Sequence, residues 1–157
     1  MNIKQTLEFI RKAHAGQKYG SDPYWTHPLK VAEKGLEIFG SRFHDDAYKA
    51  ALLHDVIEDT RYTIEDLSEM GYSQSVTDAV FLLTKSMGLS YSDNIEKIIS
   101  SRNQIALMVK YSDNWINYHG DKSDWPEEKR KKSQKKYLES MERISKAIQV
   151  GRSWKPF

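Results

Sequence analysis

The stretch ALLHDVIEDT, residues 51 to 60, sets His54, Asp55, Glu58 and Asp59 among apolar residues at helical spacing. Burying an unpaired carboxylate costs on the order of several kcal/mol, so these acids need partners. On a helix, His54 and Glu58 share one face, and Asp55 and Asp59 share another about 100° round. An adjacent histidine and aspartate reach one cation only near a helix end, where the backbone opens. Thr60 and the following Arg-Tyr-Thr put such an end close by. A cation needs further ligands. His27, in PYWTHPLKVA, and Asp113, in ALMVKYSDNWINY, are the other groups oddly placed among apolar and aromatic neighbours. His27, His54, Asp55 and Asp113 offer two imidazoles and two carboxylates. That donor set suits manganese, iron or zinc rather than calcium, and leaves positions for water and substrate. Each residue alone says little, since a lone histidine is more often a core or surface residue. His44-Asp45, between Arg42 and Asp46, reads as a solvated cap.

The elements that must position these groups are read from periodicity. Ile3, Leu7, Ile10 and His14 recur at helical spacing over residues 3 to 15. GQKYGSDPYWTHP, with two glycines and two prolines, reads as a loop. Helices are expected over 28 to 39, with Pro28 in the first turn and Gly40 as the stop, and over 45 to 57. Thr63-Ile-Glu-Asp66 resembles a capping box for a short helix that Gly71 ends, and Ser73 begins another through Thr84. A loop around Gly88 precedes helices over about 92 to 100, 103 to 118 and 126 to 149. No strand run or internal repeat is visible. The expectation is an all-α bundle of about seven or eight helices, one domain over 1 to 150, and a tail over 151 to 157 that docks or is disordered.

Composition narrows the function classes. At 157 residues, 39% hydrophobic and 29% charged, the chain suits one globular core. It has no cysteine, which removes disulfides, thiolate zinc sites and cysteine nucleophiles. No apolar run reaches the roughly 18 residues of a membrane span, and the first residues lack a signal-peptide core, so the expectation is cytoplasmic. Net charge is only +2, but KRKKSQKK, residues 129 to 136, holds six basic residues. It reads first as a solvated helix face and second as a patch for nucleic acid or an acidic partner. No aromatic residues interleave the run as a single-strand stacking platform requires, and no duplex nucleic-acid reader is expected.

In chain order, AHAGQ (13 to 17), PYWTHPLKVA (23 to 32), AALLHDVIEDT (50 to 60), LLTK (82 to 85) and VKYSDNWIN (109 to 117) resemble the HD phosphohydrolase superfamily. More specifically they resemble the hydrolase domain of RelA/SpoT stringent-response enzymes and the small alarmone hydrolases. The resemblance covers roughly residues 5 to 120. It implies an α-helical HD-domain bundle and a Mn²⁺ ion held by His27, His54, Asp55 and Asp113. It also implies removal of the 3′-pyrophosphate from guanosine tetra- or pentaphosphate. The family assigns catalysis to the positions of Glu58 and Asp59. Chemistry agrees, because a carboxylate one turn beyond a metal ligand can orient or deprotonate a water there. The alternative for both acids is to cap the helix that begins near Thr63. Lys110 and Asn117 share a face with Asp113. The Asn position lines the family's nucleotide pocket, while Lys110 either neutralises phosphate or pairs with Asp113.

The sequence departs from that pattern where substrate is held. Family members carry Arg-Lys soon after the GQ pair; here Lys18 and Tyr19 stand in a segment one residue shorter. Tyr19 can stack on a base but supplies no charge. The family's Asp-Arg is Asp113-Asn114, and a frequent threonine is Gly120. The expectation is retained hydrolysis with altered or broader substrate choice: adenosine alarmones, other 3′-phosphorylated nucleotides such as NADPH, or pyrophosphorylated RNA ends. If alarmones are the substrate, the missing synthetase half leads to the expectation of hydrolysis without synthesis. A non-catalytic, antitoxin-like regulator is the competing class.

Overall fold

A computed structural model describes residues 1–148; the segment 151–157 read as a tail lies outside the described residues. The chain runs α1 (Ile3–Ala13), β1 (Lys18–Tyr19), β2 (Asp22–Pro23), α2 (Thr26–Phe39) and a 3-10 turn (Gly40–Arg42). It continues through α3 (Asp45–Leu53), α4 (Val56–Asp59), α5 (Ile64–Glu69), α6 (Gln74–Leu83), α7 (Tyr91–Ser101), α8 (Gln104–His119) and α9 (Glu127–Ala147). The all-α expectation holds.

Local chemistry sets the ends of these helices. Asn2 and Gln5 form a capping box at α1, and Thr63 and Asp66 form the expected one at α5. Ser73, Ser90 and Asn103 each accept a backbone N–H at the starts of α6, α7 and α8. Pro126 precedes α9, with Glu127 and Glu128 in its first turn, as expected.

The bundle is organised round α8, which packs against α2, α3, α6, α7 and α9. Leu107, Val109 and Tyr111 of α8 are buried with Val31 of α2, Leu52 and Leu53 of α3, Val80 of α6 and Ile144 of α9. Each such aliphatic side chain contributes about 1.5–3 kcal/mol relative to exposure. Gly35 lets the Phe43 ring lie directly on α2, where any Cβ would overlap it. The core therefore clamps α2, α3 and α8, the helices that carry the candidate ligands.

Two expectations need correction. The loop before α2 contains an antiparallel ribbon, Lys18 opposite Pro23 and Tyr19 opposite Asp22. Two-residue strands are too short to show alternation, and the turn depends on Gly20 at φ 62. The helix expected over 45 to 57 ends at Leu53, and His54 and Asp55 form a turn before the single-turn α4. The backbone thus opens at the HD pair itself, not beyond Thr60. Asp55 sits at φ −106 and ψ 0, between helical and extended regions.

Candidate active site

Three segments converge on one point. The ribbon and its exit deliver His27: Tyr24 N–H donates to Gln17 O at 2.8 Å, and His27 N–H to Tyr24 O at 3.0 Å. The α3–α4 turn presents His54 and Asp55, and the middle of α8 presents Asp113. His27, His54 and Asp113 are 2, 3 and 6% exposed, so water satisfies little of their polarity.

The His54 ring is fixed from behind. Its Nδ1 lies 2.6 Å from Ala51 O, a carbonyl that only accepts, so Nδ1 carries hydrogen and, in the neutral ring, Nε2 keeps its lone pair. That Nε2 is buried and without a hydrogen-bond partner, although Asp55 Oδ2 is 2.9 Å away and Asp113 Oδ1 3.6 Å. His27 Nε2 is 3.0 Å from the same Asp113 oxygen. Ligand atoms of His27, His54 and Asp55 all lie within 4.8 Å of one another. Donors about 2.1 Å from a shared ion stand about 3 Å apart when adjacent, so these separations suit a divalent cation. The orphaned His54 Nε2, facing two carboxylates, is the observation that fits the residues to a metal.

The electrostatics agree. Burial disfavours the His54 imidazolium, but Asp55 and Asp113 outweigh it and hold the ring's pKa well above the ordinary value. Burial would raise Asp113 and Asp55. Lys110 and His54 instead hold Asp113 well below the usual carboxylate range, and His54 lowers Asp55. The acids stay ionised and the pocket demands positive charge.

Tyr24, noticed in the sequence only as an aromatic, donates to Asp55 Oδ2 at 2.6 Å. Burial first, and Asp55 second, push its phenol far up, so it remains a donor. It orients the carboxylate from outside the ligand set. His14 Nδ1 contacts Gln17 Oε1 at 2.9 Å, and Gln17 Nε2 donates to Asp59 O at 2.8 Å. The AHAGQ motif thereby ties the ribbon to α4.

Glu58 and Asp59 sit on α4 just outside the cluster, both exposed. Glu58 Oε1 accepts the backbone N–H of Lys85, beyond the end of α6. Thr63 and Asp66 make the capping box of α5, so neither Glu58 nor Asp59 is needed as its cap. Burial, then the charge of Asp55, raises Asp59 above its ordinary value.

On the other side of Asp113 stand the expected substrate residues. Asn117 Nδ2 donates to Asp113 Oδ1 at 3.1 Å, and Asn117 Oδ1 accepts from Tyr19 at 2.6 Å. Tyr19 stacks on His27, centroids 4.3 Å apart. Burial and the two aspartates push its phenol up to about 12. Lys110 Nζ lies 3.4 Å from Asp113 Oδ2, the pairing alternative raised for it. Burial alone would lower the Lys110 pKa, but Asp113 raises it. Lys18 is exposed, next to Tyr19 in the ribbon, where alternate residues face opposite ways; the structure does not bring it into the cluster.

A cavity of about 270 Å³ opens beside Asn117, walled by Tyr19, Trp125 and Tyr137 with Gly120 and Lys122. Lys122 Nζ donates to the carbonyls of Asn117, Tyr118 (3.3 Å) and Gly120 (3.1 Å), fixing the end of α8 beneath it. Trp125 and Tyr137 were not anticipated in the sequence; they lie beyond the last motif.

An α-helical bundle with an HD pair at a helix break, a second histidine and a distant aspartate defines a metal-site class of hydrolase fold. A family model for the HD domain matches residues 24–150, and the chain belongs to that family. A guanosine-3′,5′-bis(diphosphate) 3′-pyrophosphohydrolase of Aquifex aeolicus is 34% identical over 146 residues, 87% of this chain and 20% of that protein. The bifunctional (p)ppGpp synthase/hydrolase SpoT of Escherichia coli K12 is 36% identical over 110 residues, 69% of this chain and 15% of that protein. The chain thus spans a fifth or less of these relatives. A solved metazoan ortholog of SpoT, described as hydrolysing ppGpp with a role in starvation responses, superposes with a TM-score of 0.69. It covers 92% of each chain at 20% identity, which shows the shared fold. An HD domain implies a divalent metal, and a His27–His54–Asp55 cluster with the donors to hold one is present. No helix among the described residues is long and apolar enough to cross a membrane.

Proposed function

We propose that this HD domain is a manganese-dependent pyrophosphohydrolase that removes the 3′-pyrophosphate of guanosine tetra- or pentaphosphate. The observation that carries the reading is the orphaned His54 Nε2 among His27, Asp55 and Asp113, with Glu58 and Asp59 on the adjoining α4 and a cavity of about 270 Å³ alongside. His27, His54, Asp55 and Asp113 hold the ion. When bound, it polarises the phosphoryl oxygen and makes water a better nucleophile.

This chain's residues do the rest. Glu58, released from the Lys85 amide, orients the attacking water and takes its proton, with Asp59 supporting. Water oxygen bonds to the phosphorus on the 3′-oxygen. The P–O3′ bond breaks, pyrophosphate leaves, and the 3′-oxygen receives a proton. Tyr19 and Asn117 hold the nucleotide beside Asp113. Lys110 keeps Asp113 ionised, and Lys18 serves at the ribbon's outer face. The loss of the family's basic pair in this ribbon favours a second reading, the same chemistry on another 3′-phosphorylated nucleotide.

A panel of guanosine and adenosine alarmones, NADPH and pyrophosphorylated RNA, assayed with manganese beside Glu58→Gln and Asp113→Ala, tests this. The reading expects pyrophosphate from guanosine tetraphosphate with wild type only. Cleavage of a different panel member alone overturns the substrate. No cleavage of any member overturns the enzyme.

A further inference from the structure

The basic run on α9 is not one uniform face. Lys131 pairs with Glu127 at 3.1 Å and Lys135 approaches Glu139 at 3.9 Å, both exposed. Lys129 and Lys136, seven residues apart and so on one stripe, turn the other way. Lys129 Nζ lies 4.3 Å from the centre of the Trp125 ring. Lys136 Nζ lies 4.7 Å from that of Tyr91 and 4.8 Å from that of Tyr137. Aromatic side chains do accompany the run, but from the fold and not from its own letters.

Those rings belong to the site. Trp125 and Tyr137 wall the cavity beside Asn117. Tyr91 donates to Asn114 Oδ1 at 2.5 Å, next to Asp113, and carries a second ammonium, Lys110, 5.4 Å from its centre. Of the two cations on this ring, Lys110 has a carboxylate partner in Asp113. Among the described residues Lys136 and Lys129 make no ion pair with a carboxylate. Burial, then the charge of Lys110, lowers the Lys136 pKa, and an anion there would offset the Lys110 charge. Both lysines remain solvent-accessible, open to an incoming ligand.

We infer that Lys129 and Lys136, on the inner edge of α9, form the phosphate-binding edge of the nucleotide cavity. The inference rests on the nucleotide reading above and adds the residues that replace the charge missing from the ribbon. Each ammonium lies against a ring that walls the cavity, Lys129 against Trp125 and Lys136 against Tyr137. An ammonium held this way binds a phosphate by a charge-assisted hydrogen bond without first being ordered.

The test is calorimetric titration of manganese-loaded Glu58→Gln protein with guanosine tetraphosphate and with inorganic pyrophosphate. Adding Lys136→Gln should weaken both roughly tenfold, the worth of one charge-assisted contact. Lys129→Gln should weaken them less, and Lys136→Arg should restore most of the loss. Lys131→Gln, about 140° round the helix from Lys136, should leave both unchanged. Unchanged binding in Lys136→Gln overturns the inference. So does an equal loss in Lys131→Gln, which would mean a diffuse field, or a lowered thermal midpoint without rescue by arginine, which would mean packing. If guanosine tetraphosphate does not bind at all while pyrophosphate binding still depends on Lys136, the phosphate edge stands and the alarmone reading falls.

Discussion

The buried His–Asp cluster and the cavity beside it are joined through Asn117, which lines the cavity and donates to Asp113, yet they are built differently. The cluster draws its groups from α2, α8 and the α3–α4 turn between core helices, and three of its four candidate ligands are braced: His54 by Ala51, Asp55 by Tyr24, Asp113 by Lys110 and Asn117. The cavity is walled by a two-stranded ribbon, by Trp125 in the loop after α8, and by one edge of α9. Under the proposed function, metal binding is thus lodged in buried elements, and substrate choice in surface elements that can change without disturbing them.

Mutations on the two sides should separate accordingly. The largest effect is expected from His54→Ala. It removes a ligand and leaves Asp55 and Asp113 facing each other, so metal analysis should find no retained ion. Asp113→Ala should in addition strand the Lys110 ammonium, destabilising the fold by about 3–5 kcal/mol in denaturant titration. Next comes Glu58→Gln, expected to retain metal while kcat falls about 10²–10⁴-fold. A loss of metal instead would move Glu58 into the cluster. Tyr24→Phe leaves every ligand in place but frees the Asp55 carboxylate. Metal affinity should fall about 10–100-fold by chelator competition. The smallest expected effect is on the cavity side. Tyr19→Phe loses one hydrogen bond to Asn117, and KM should rise about fivefold, with metal content unchanged. A Tyr19→Phe variant that lost metal would erase the distinction between the two regions.

The sequence exposed the cluster because its members are polar residues in apolar surroundings. His27, His54, Asp55 and Asp113 stand out against Leu, Val, Ile and Trp neighbours, and burial makes such placement costly without a partner. It also showed most helices, through caps such as Thr63 with Asp66 and Ser73. It did not show the break at His54-Asp55, because the flanking apolar spacing remains helical across it. The ribbon at Lys18–Pro23 was hidden by its shortness. Tyr24 looked like any aromatic because its partner Asp55 lies far along the chain. The basic run looked uniform because pairing with Glu127 and Glu139, or contact with Tyr91 and Trp125, depends on which way α9 is turned.

The central claim is that a divalent ion held by the buried cluster serves hydrolysis of a pyrophosphorylated nucleotide. It is tested most directly by the rate of pyrophosphate release from guanosine tetraphosphate by manganese-loaded wild type, Glu58→Gln and His54→Ala, with metal content measured on the same samples. The account expects wild type to hold metal and release pyrophosphate, Glu58→Gln to hold metal without comparable release, and His54→Ala to do neither. Pyrophosphate release by His54→Ala at the wild-type rate would contradict it.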